Sequence, residues 1–195
     1  MTAEDQAGRN DSGEEKCAYP ERLDVFIDRL VMEEMEDYAR ADTTVERGGI
    51  LFGQHYPLGE TGVTVVRGWV PAEYSEASMS SVTFTHETWE HVHAVKEKNF
   101  PNERIIGWYH THPNFGIFLS NYDVFIQETL FNFAGATALV IDPVRNERGA
   151  FAFLKNKEIG ECRLSILSAS VPAVHSAGRR DKRIGKGQSI LLLGV

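Results

Sequence analysis

The 195-residue sequence contains only two cysteines, Cys17 and Cys162, and no apolar run that approaches the roughly 18–20 residues of a membrane-spanning helix. Two distant cysteines do not form a disulfide framework, and they fit a reducing compartment. The first twenty residues are polar and acidic and lack the apolar core of a secretory signal. The sequence therefore predicts a cytoplasmic protein rather than a secreted or membrane-spanning one.

Positive charge is also in short supply, since 28 acidic side chains face 20 lysines and arginines and give a net charge of −8. Residues 1–20 carry −3 and residues 172–195 carry +4, which leaves −9 for residues 21–171. An acidic body argues against nucleic acid as the main partner and is compatible with a basic protein surface as substrate. The basic stretch Arg179–Lys186 is interpreted as part of a solvated tail.

Length and composition predict one folded domain between two tails. Hydrophobic residues make up 42% of the chain, which is enough for a sizeable core. Residues 1–20 are rich in glycine, serine and acidic side chains and are expected to be a disordered leader. Residues 21–171 are expected to form the domain, and residues 172–195 a flexible basic tail.

Hydrophobic periodicity predicts strands and helices that interleave along the chain. Such interleaving, with consecutive strands at each end, favours an α/β or α+β layer fold built on a mixed sheet. The strands are predicted at 22–27, 47–56, 62–70, 82–85, 104–110, 136–142, 150–155 and 161–167, and the helices at about 29–41, 86–99 and 120–133.

Two histidines lie where the strongly apolar predicted strand 104–110 runs into a loop: His110 ends the strand, and His112 comes two residues later. Residues i and i+2 of a strand project to the same face, and Pro113 biases His112 towards extended backbone. Two imidazoles and one carboxylate are typical of a catalytic zinc site whose fourth position holds water. Asp123 is the candidate carboxylate, in the first turn of a helix that begins at Ser120 and whose positive end favours negative charge.

Taken alone, Ser120 and Asp123 match a helix capping box, but downstream of His-x-His-Pro a metal ligand is the preferred interpretation of Asp123. A second His-x-His pair, His91 and His93, provides an internal control. It lies in a predicted helix, where two residues are separated by about 200° and cannot share one ion. Packing or surface roles are expected for this pair and for the isolated histidines His55, His86 and His175.

The spacing His-Thr-His-Pro, six residues, Ser, two residues, Asp resembles the signature of the JAMM (MPN+) zinc metalloproteases. The run from Ile105 to Asp123 is similar to the isopeptidase subunits of the proteasome lid and the signalosome. Glu46–Gly53 and Val140–Pro143 match as well, so the resemblance spans roughly residues 22–168. It implies a single MPN domain with a mixed sheet flanked by helices, similar to the cytidine-deaminase arrangement.

Carried over by position, the resemblance implies that His110, His112 and Asp123 bind one zinc ion. It further implies that Glu46 is the general acid/base and that Ser120 helps to form the oxyanion hole. Without the resemblance, Glu46 would be interpreted as a solvated carboxylate at a strand end. Members of the family hydrolyse the isopeptide bond between the C-terminal glycine of a ubiquitin-like protein and a lysine.

The resemblance leaves the substrate open. Phe115–Leu119 and Pro71–Ser81 are the candidate segments for holding a ubiquitin-like tail. The chain is similar to small free-standing or prokaryote-type members, so an alternative function is a processing peptidase for a sulfur-carrier or other β-grasp protein. A non-catalytic MPN scaffold is the third interpretation, disfavoured by the complete set of five site residues. Assembly as a homo- or hetero-oligomer is compatible with each of them.

Overall fold

The computed structural model describes residues 19–72, 76–77 and 82–168, with only the strand assignment given at 76–77 and 82–83. Nearly all of the predicted leader, the predicted basic tail, Cys17 and His175 lie outside this range. The division into leader, domain and tail therefore stays a prediction. No helix among the described residues is long and apolar enough to cross a membrane.

Within the described residues the chain forms nine strands and three helices, in an order close to the predicted one. Asp28 caps the first helix by accepting the N–H of Leu30, and Thr85 caps the second. The elements are β1 Arg22–Asp28, α1 Arg29–Arg40, β2 Gly48–Leu58, β3 Thr61–Pro71, β4 Glu76–Ala77, β5 Val82–Thr83, α2 His86–Asn99, β6 Arg104–Thr111, α3 Asn121–Leu130, β7 Thr137–Asp142, β8 Glu147–Phe153 and β9 Ile159–Leu167.

The main sheet is mixed, which confirms the predicted α/β class, and it is also closed. Its strand order is β1-β3-β2-β6-β7-β8-β9, and β9 pairs back onto β1. The β1–β3, β1–β9 and β6–β7 pairs are parallel and the other pairs are antiparallel. The sequence did not predict the closure, because local periodicity does not report pairing between strands about 140 residues apart.

Helices cover both faces of this sheet. One core cluster joins α1 to the sheet and contains Met35, Trp69 and Tyr109. A second cluster joins α2 and α3 to the other face and contains Val92 and Trp108. Because side chains alternate along β6, Trp108 and Tyr109 belong to different clusters. His110 lies on the α3 face with Trp108, and their rings stack with centroids 4.5 Å apart.

Several predicted boundaries differ from the structure by one to three residues, and the short strand β4 was not predicted. The third helix ends at Leu130, before the predicted Phe133, and the Gln127 side-chain amide donates to the carbonyl oxygens of Phe131 and Ala136 beyond the helix end. Strand β8 begins at Glu147, three residues before the predicted start at residue 150, because it pairs with β7 as a tight hairpin. The fifth strand covers only Val82–Thr83 of the predicted 82–85.

Candidate metal centre

His110 and His112 converge at the end of β6. Beyond the strand's last residue the backbone stays extended, because the N–H of His112 donates to the carbonyl of Ile141 at 3.0 Å. Both imidazoles are buried, and their Nε2 atoms lie 3.0 Å apart. The register places His110 opposite Gly48 of β2, so the pair lies where β2 begins and β6 ends.

Asp123 completes a three-residue group from the first turn of α3. The capping box is formed: Ser120 Oγ accepts the Asp123 N–H at 3.3 Å, and Asp123 Oδ2 accepts the Ser120 N–H at 2.6 Å. The same carboxylate also faces the histidines, with Oδ1 at 3.3 Å from His110 Nε2 and Oδ2 at 3.6 Å from His112 Nε2. The two interpretations of Asp123, as a helix-capping residue and as a metal ligand, are therefore compatible. The capping hydrogen bonds hold the carboxylate next to the two imidazoles.

The chemistry of this donor set fits a metal ion. One potential ligand atom from each of His110, His112 and Asp123 lies within 4.8 Å of the others, and all three residues are buried. Two imidazole nitrogens and a carboxylate oxygen that face one point away from water form a donor set that a cation would satisfy. Zinc prefers this combination of ligands, with a fourth position left to water or substrate.

Glu46 lies beside this group and is not the solvated carboxylate that its sequence position alone would indicate. It is 4% exposed, and its Oε1 is 3.8 Å from His112 Nε2. Burial raises the pKa of the Glu46 carboxyl to about 7; His112 opposes the shift and the Asp123 carboxylate reinforces it. A group with this pKa can both accept and return a proton near neutral pH.

The charges of the three potential ligands are set by their mutual contacts. Burial alone would raise the pKa of Asp123, but the hydrogen bonds with His110 and His112 hold it well below its usual range. Burial lowers the pKa of His110. Burial also acts to lower the pKa of His112, but Asp123 and Glu46 outweigh it and raise that pKa. An ionised carboxylate and a neutral His110 are the forms that bind a metal ion.

Ser120 occupies the N-cap of α3, directly beside the Asp123 carboxylate. Its hydroxyl oxygen accepts the backbone N–H of Asp123 through a lone pair. A hydroxyl that accepts in this way keeps its own proton for donation. The side chain is half-buried, so the donor lies at the border between the buried group and solvent.

The other described histidines stay apart. His91 and His93 lie on α2, where His93 is exposed and packs on Trp89 with ring centroids 6.3 Å apart. His55 contacts Thr64 Oγ1 at 3.2 Å, and the exposed His86 pairs with Glu90 at 3.3 Å. Among residues 19–72 and 84–168, His110, His112 and Asp123 are the one group of three with metal-binding spacing.

Asp142 is a site residue that sequence analysis missed, although it lies in the matched run Val140–Pro143. It is fully buried at the end of β7, and its side chain accepts the backbone N–H groups of Asn114, Gly116, Val144 and Arg145 at 2.8–3.0 Å. Burial would raise the pKa of Asp142, but these donors hold it below its ordinary value. The sequence feature that could have identified Asp142 is the Asp-Pro pair at the end of a buried strand, a common Asx-turn pattern.

The Asp142 turn orients one of the histidines. The carbonyl oxygen of Gly116, whose N–H donates to Asp142, lies 3.2 Å from His112 Nδ1. A proton on His112 Nδ1 that donates to this carbonyl leaves the Nε2 lone pair directed at Asp123 and His110. His110 Nδ1 is buried without a hydrogen-bond partner among the described residues.

One of the two segments predicted to hold a substrate tail can be described. In Phe115–Leu119, the Phe115 and Phe118 side chains are 56% and 44% exposed, and the Phe118 ring centroid lies 4.5 Å from that of His112. This places an exposed aromatic surface at the mouth of the site. Most of Pro71–Ser81 lies outside the described residues, so its predicted role stays a prediction.

Known proteins resemble this chain in sequence and in fold. The family described as "JAB1/Mov34/MPN/PAD-1 ubiquitin protease" matches residues 20–134. An uncharacterised Caenorhabditis elegans protein is 29% identical over 143 residues, 72% of this chain and 44% of that protein. The "26S proteasome non-ATPase regulatory subunit 14" of Dictyostelium discoideum is 29% identical over 146 residues, 71% of this chain and 46% of that subunit.

A solution structure of a Desulfitobacterium hafniense protein covers 74% of this chain and 94% of its own, with a TM-score of 0.56 and 22% identity. This likeness shows that the fold also occurs in a small protein. The chain spans less than half the length of the two curated relatives it matches. The family match covers more than half of the chain and includes Glu46 and all three potential metal ligands, so the chain belongs to the JAB1/Mov34/MPN/PAD-1 family.

Proposed function

We propose that this protein is a zinc-dependent isopeptidase that cleaves the amide bond after the C-terminal glycine of a ubiquitin or ubiquitin-like protein. One observation carries the proposal: His110, His112 and Asp123 converge in a buried group, and the Glu46 carboxyl lies 3.8 Å from one of the imidazoles. A structural metal site uses four protein ligands, whereas this group offers three beside a proton acceptor.

The proposed mechanism divides three tasks among the side chains. Zinc held by the two imidazoles and Asp123 would supply Lewis acidity towards the scissile carbonyl and would lower the pKa of a bound water. Glu46 would take the water proton on Oε1 and return it to the departing lysine amine, a role that suits a carboxyl with a pKa of about 7. Ser120 Oγ would donate to the carbonyl oxygen as negative charge develops on it.

The substrate class is proposed from the family description and from the site's surroundings. The family is described as a ubiquitin protease, and relatives are named as 26S proteasome subunits. The exposed aromatic rings of Phe115 and Phe118 offer an apolar surface to an extended protein tail. We further propose that residues 21–171 act as one catalytic domain in the cytoplasm, a compartment consistent with the free thiol of Cys162.

A cleavage assay with the full chain tests this function. The purified protein is expected to contain one zinc ion per chain and to cleave a ubiquitin–lysine isopeptide substrate, and a chelator should abolish the activity. Glu46→Gln should retain zinc but lose at least about 100-fold in rate, because the amide cannot accept the water proton. The exposed Glu158→Gln is the matched control and should behave like the wild type.

Two outcomes would contradict the proposal. Full activity in Glu46→Gln would exclude the acid/base role, and a protein that purifies without zinc and cleaves neither isopeptide nor peptide substrates would be a scaffold. Cleavage of a peptide extension after the Gly-Gly of a β-grasp protein, with no isopeptide cleavage, would instead establish the processing peptidase. The last two outcomes would thus identify the scaffold and the processing peptidase.

A further inference from the structure

Glu46 needs a support that its own segment does not provide. Residues 41–44 before it are exposed; the Ala41 N–H donates back to the end of α1, and the backbone and hydroxyl of Thr44 donate to Asp42. Strand β2 begins only at Gly48. The residue that links the buried carboxylate to the sheet is therefore Arg47.

Arg47 is held at three points. Its N–H donates to Thr111 Oγ1 at 2.9 Å, and its carbonyl accepts the Thr111 N–H at 2.8 Å. Its guanidinium lies 3.5 Å from the centroid of the Tyr38 ring and donates to the Tyr38 carbonyl at 2.8 Å. Two of the three contacts thus go to a single residue of β6 and the third goes to α1.

Thr111 lies between the two histidines in sequence but is not one of the three potential metal ligands. Along an extended chain its side chain points to the opposite face from His110 and His112, and it is fully buried. A hydroxyl buried in this way needs a partner, and the Arg47 N–H supplies one. Thr111 therefore connects the histidine segment to the Glu46 segment by a pair of short hydrogen bonds.

We propose that Thr111 is a positioning residue that holds Glu46 in register with the two histidines, an inference that rests on the proposed function. Its hydroxyl fixes the Arg47 peptide, and the Glu46 carboxylate follows because it belongs to the adjacent residue. Without the hydroxyl, the Glu46 carboxylate should no longer be held in position beside the metal centre, while the three potential ligands should stay in place.

Two substitutions of Thr111 test whether its hydroxyl positions Glu46. Thr111→Val keeps the shape and the strand preference but removes the acceptor, whereas Thr111→Ser keeps the acceptor. The matched control is Thr137→Val, which removes another fully buried hydroxyl from the neighbouring strand β7. Each variant is measured as the full chain for thermal stability, zinc affinity, kcat and KM on the ubiquitin–lysine substrate, and amide hydrogen exchange of Arg47 by NMR.

For Thr111→Val, the Arg47 amide should exchange about tenfold faster, the effect of losing one hydrogen bond. Its kcat should fall about 10- to 100-fold with KM and zinc affinity within about twofold, since misplacement of a proton acceptor slows the chemistry and not the binding. Thr111→Ser should restore both readouts. Thr137→Val should leave the Arg47 exchange and kcat unchanged.

The two hypotheses fail separately. Unchanged Arg47 exchange in Thr111→Val, or a Thr111→Ser variant as slow as Thr111→Val, would overturn the positioning role even if the wild type cleaves its substrate. A fall in zinc affinity equal to the fall in kcat would also overturn it, because the hydroxyl would then support the ligands. A wild type without hydrolytic activity would contradict the proposed function, whatever the exchange rates show.

Discussion

The chain contains two described His-x-His pairs, and only one of them forms a site. In the strand pair, the Nε2 atoms of His110 and His112 meet at 3.0 Å in a buried group. In the helical pair, His91 is half-buried and His93 is exposed on α2. The same His-x-His spacing thus brings the two imidazoles together on a strand, which repeats every two residues. On a helix, with 3.6 residues per turn, it points them apart. Backbone conformation, and not the motif alone, makes the chelating pair.

The surroundings of the two pairs differ as well. The strand pair is surrounded by Asp123, Glu46 and the Gly116 carbonyl, each within 3.8 Å of an imidazole nitrogen. The helical pair lies among residues such as Glu90, Glu97 and Lys98, which are exposed. A metal site therefore requires buried carboxylates and an oriented imidazole in addition to two convergent nitrogens.

The largest contrast is expected from removing one imidazole of each pair. His112→Gln should no longer bind stoichiometric zinc. Its zinc affinity should fall by more than about 100-fold, because loss of a residue that only supports a ligand already costs up to about that much. His93→Gln should retain wild-type affinity, because its exposed ring packs on Trp89 and is not among the three potential ligands. Competition titration with a zinc chelator measures both, and equal losses would remove the distinction between strand and helix.

The two N-caps allow a second comparison. Ser120→Ala and Thr85→Ala each remove a side-chain cap and should each cost about 1 kcal/mol of unfolding free energy. Only Ser120→Ala should also slow isopeptide hydrolysis, by about 10²–10³, if its hydroxyl donates to the oxyanion. Urea unfolding and single-turnover kinetics separate the two effects. A Ser120→Ala variant with unchanged rate would leave this serine a cap alone.

The smallest of these contrasts concerns the turn that orients His112. Asp142→Asn replaces an acceptor of four backbone N–H groups and should lower zinc affinity by about 10- to 100-fold. The exposed Asp37→Asn on α1 is the matched control and should bind zinc normally. A thermal melt accompanies the titration, since unchanged zinc affinity in a destabilised Asp142→Asn variant would show that the turn supports only the fold.

Much of the architecture could be predicted because most helices and strands have a recognisable pattern in their own local sequence. The continuous apolar run of β6 and the serine that begins α3 are each recognisable from a few neighbouring residues, and the structure has a buried strand and an N-cap at these places. The closure of the sheet through β1 and β9 could not be predicted in this way, because no local pattern specifies a parallel partner so far along the chain.

The candidate site shows the same division. His110, His112 and Asp123 lie within 14 residues, so spacing and backbone period suffice to propose them as a group. The proximity of Glu46, 64 residues away from His110, came from the family resemblance alone. Asp142 acts on backbone groups, and hydrogen bonds to backbone leave no residue pattern at the positions they organise.

The closed sheet also gives the domain a direction. His110 is paired with Gly48 and Gly49 with Pro71, so the metal centre lies at the edge where β3 ends. Strands β1 and β9 both run parallel to this direction and end there, with Leu167 opposite Asp28. The chain thus begins β1 at the opposite end of the closed sheet from the metal centre and completes β9 at the same end as the metal centre. A fusion partner attached ahead of β1 would therefore start at the opposite end of the closed sheet from the metal centre, whereas one attached soon after β9 would start at the same end.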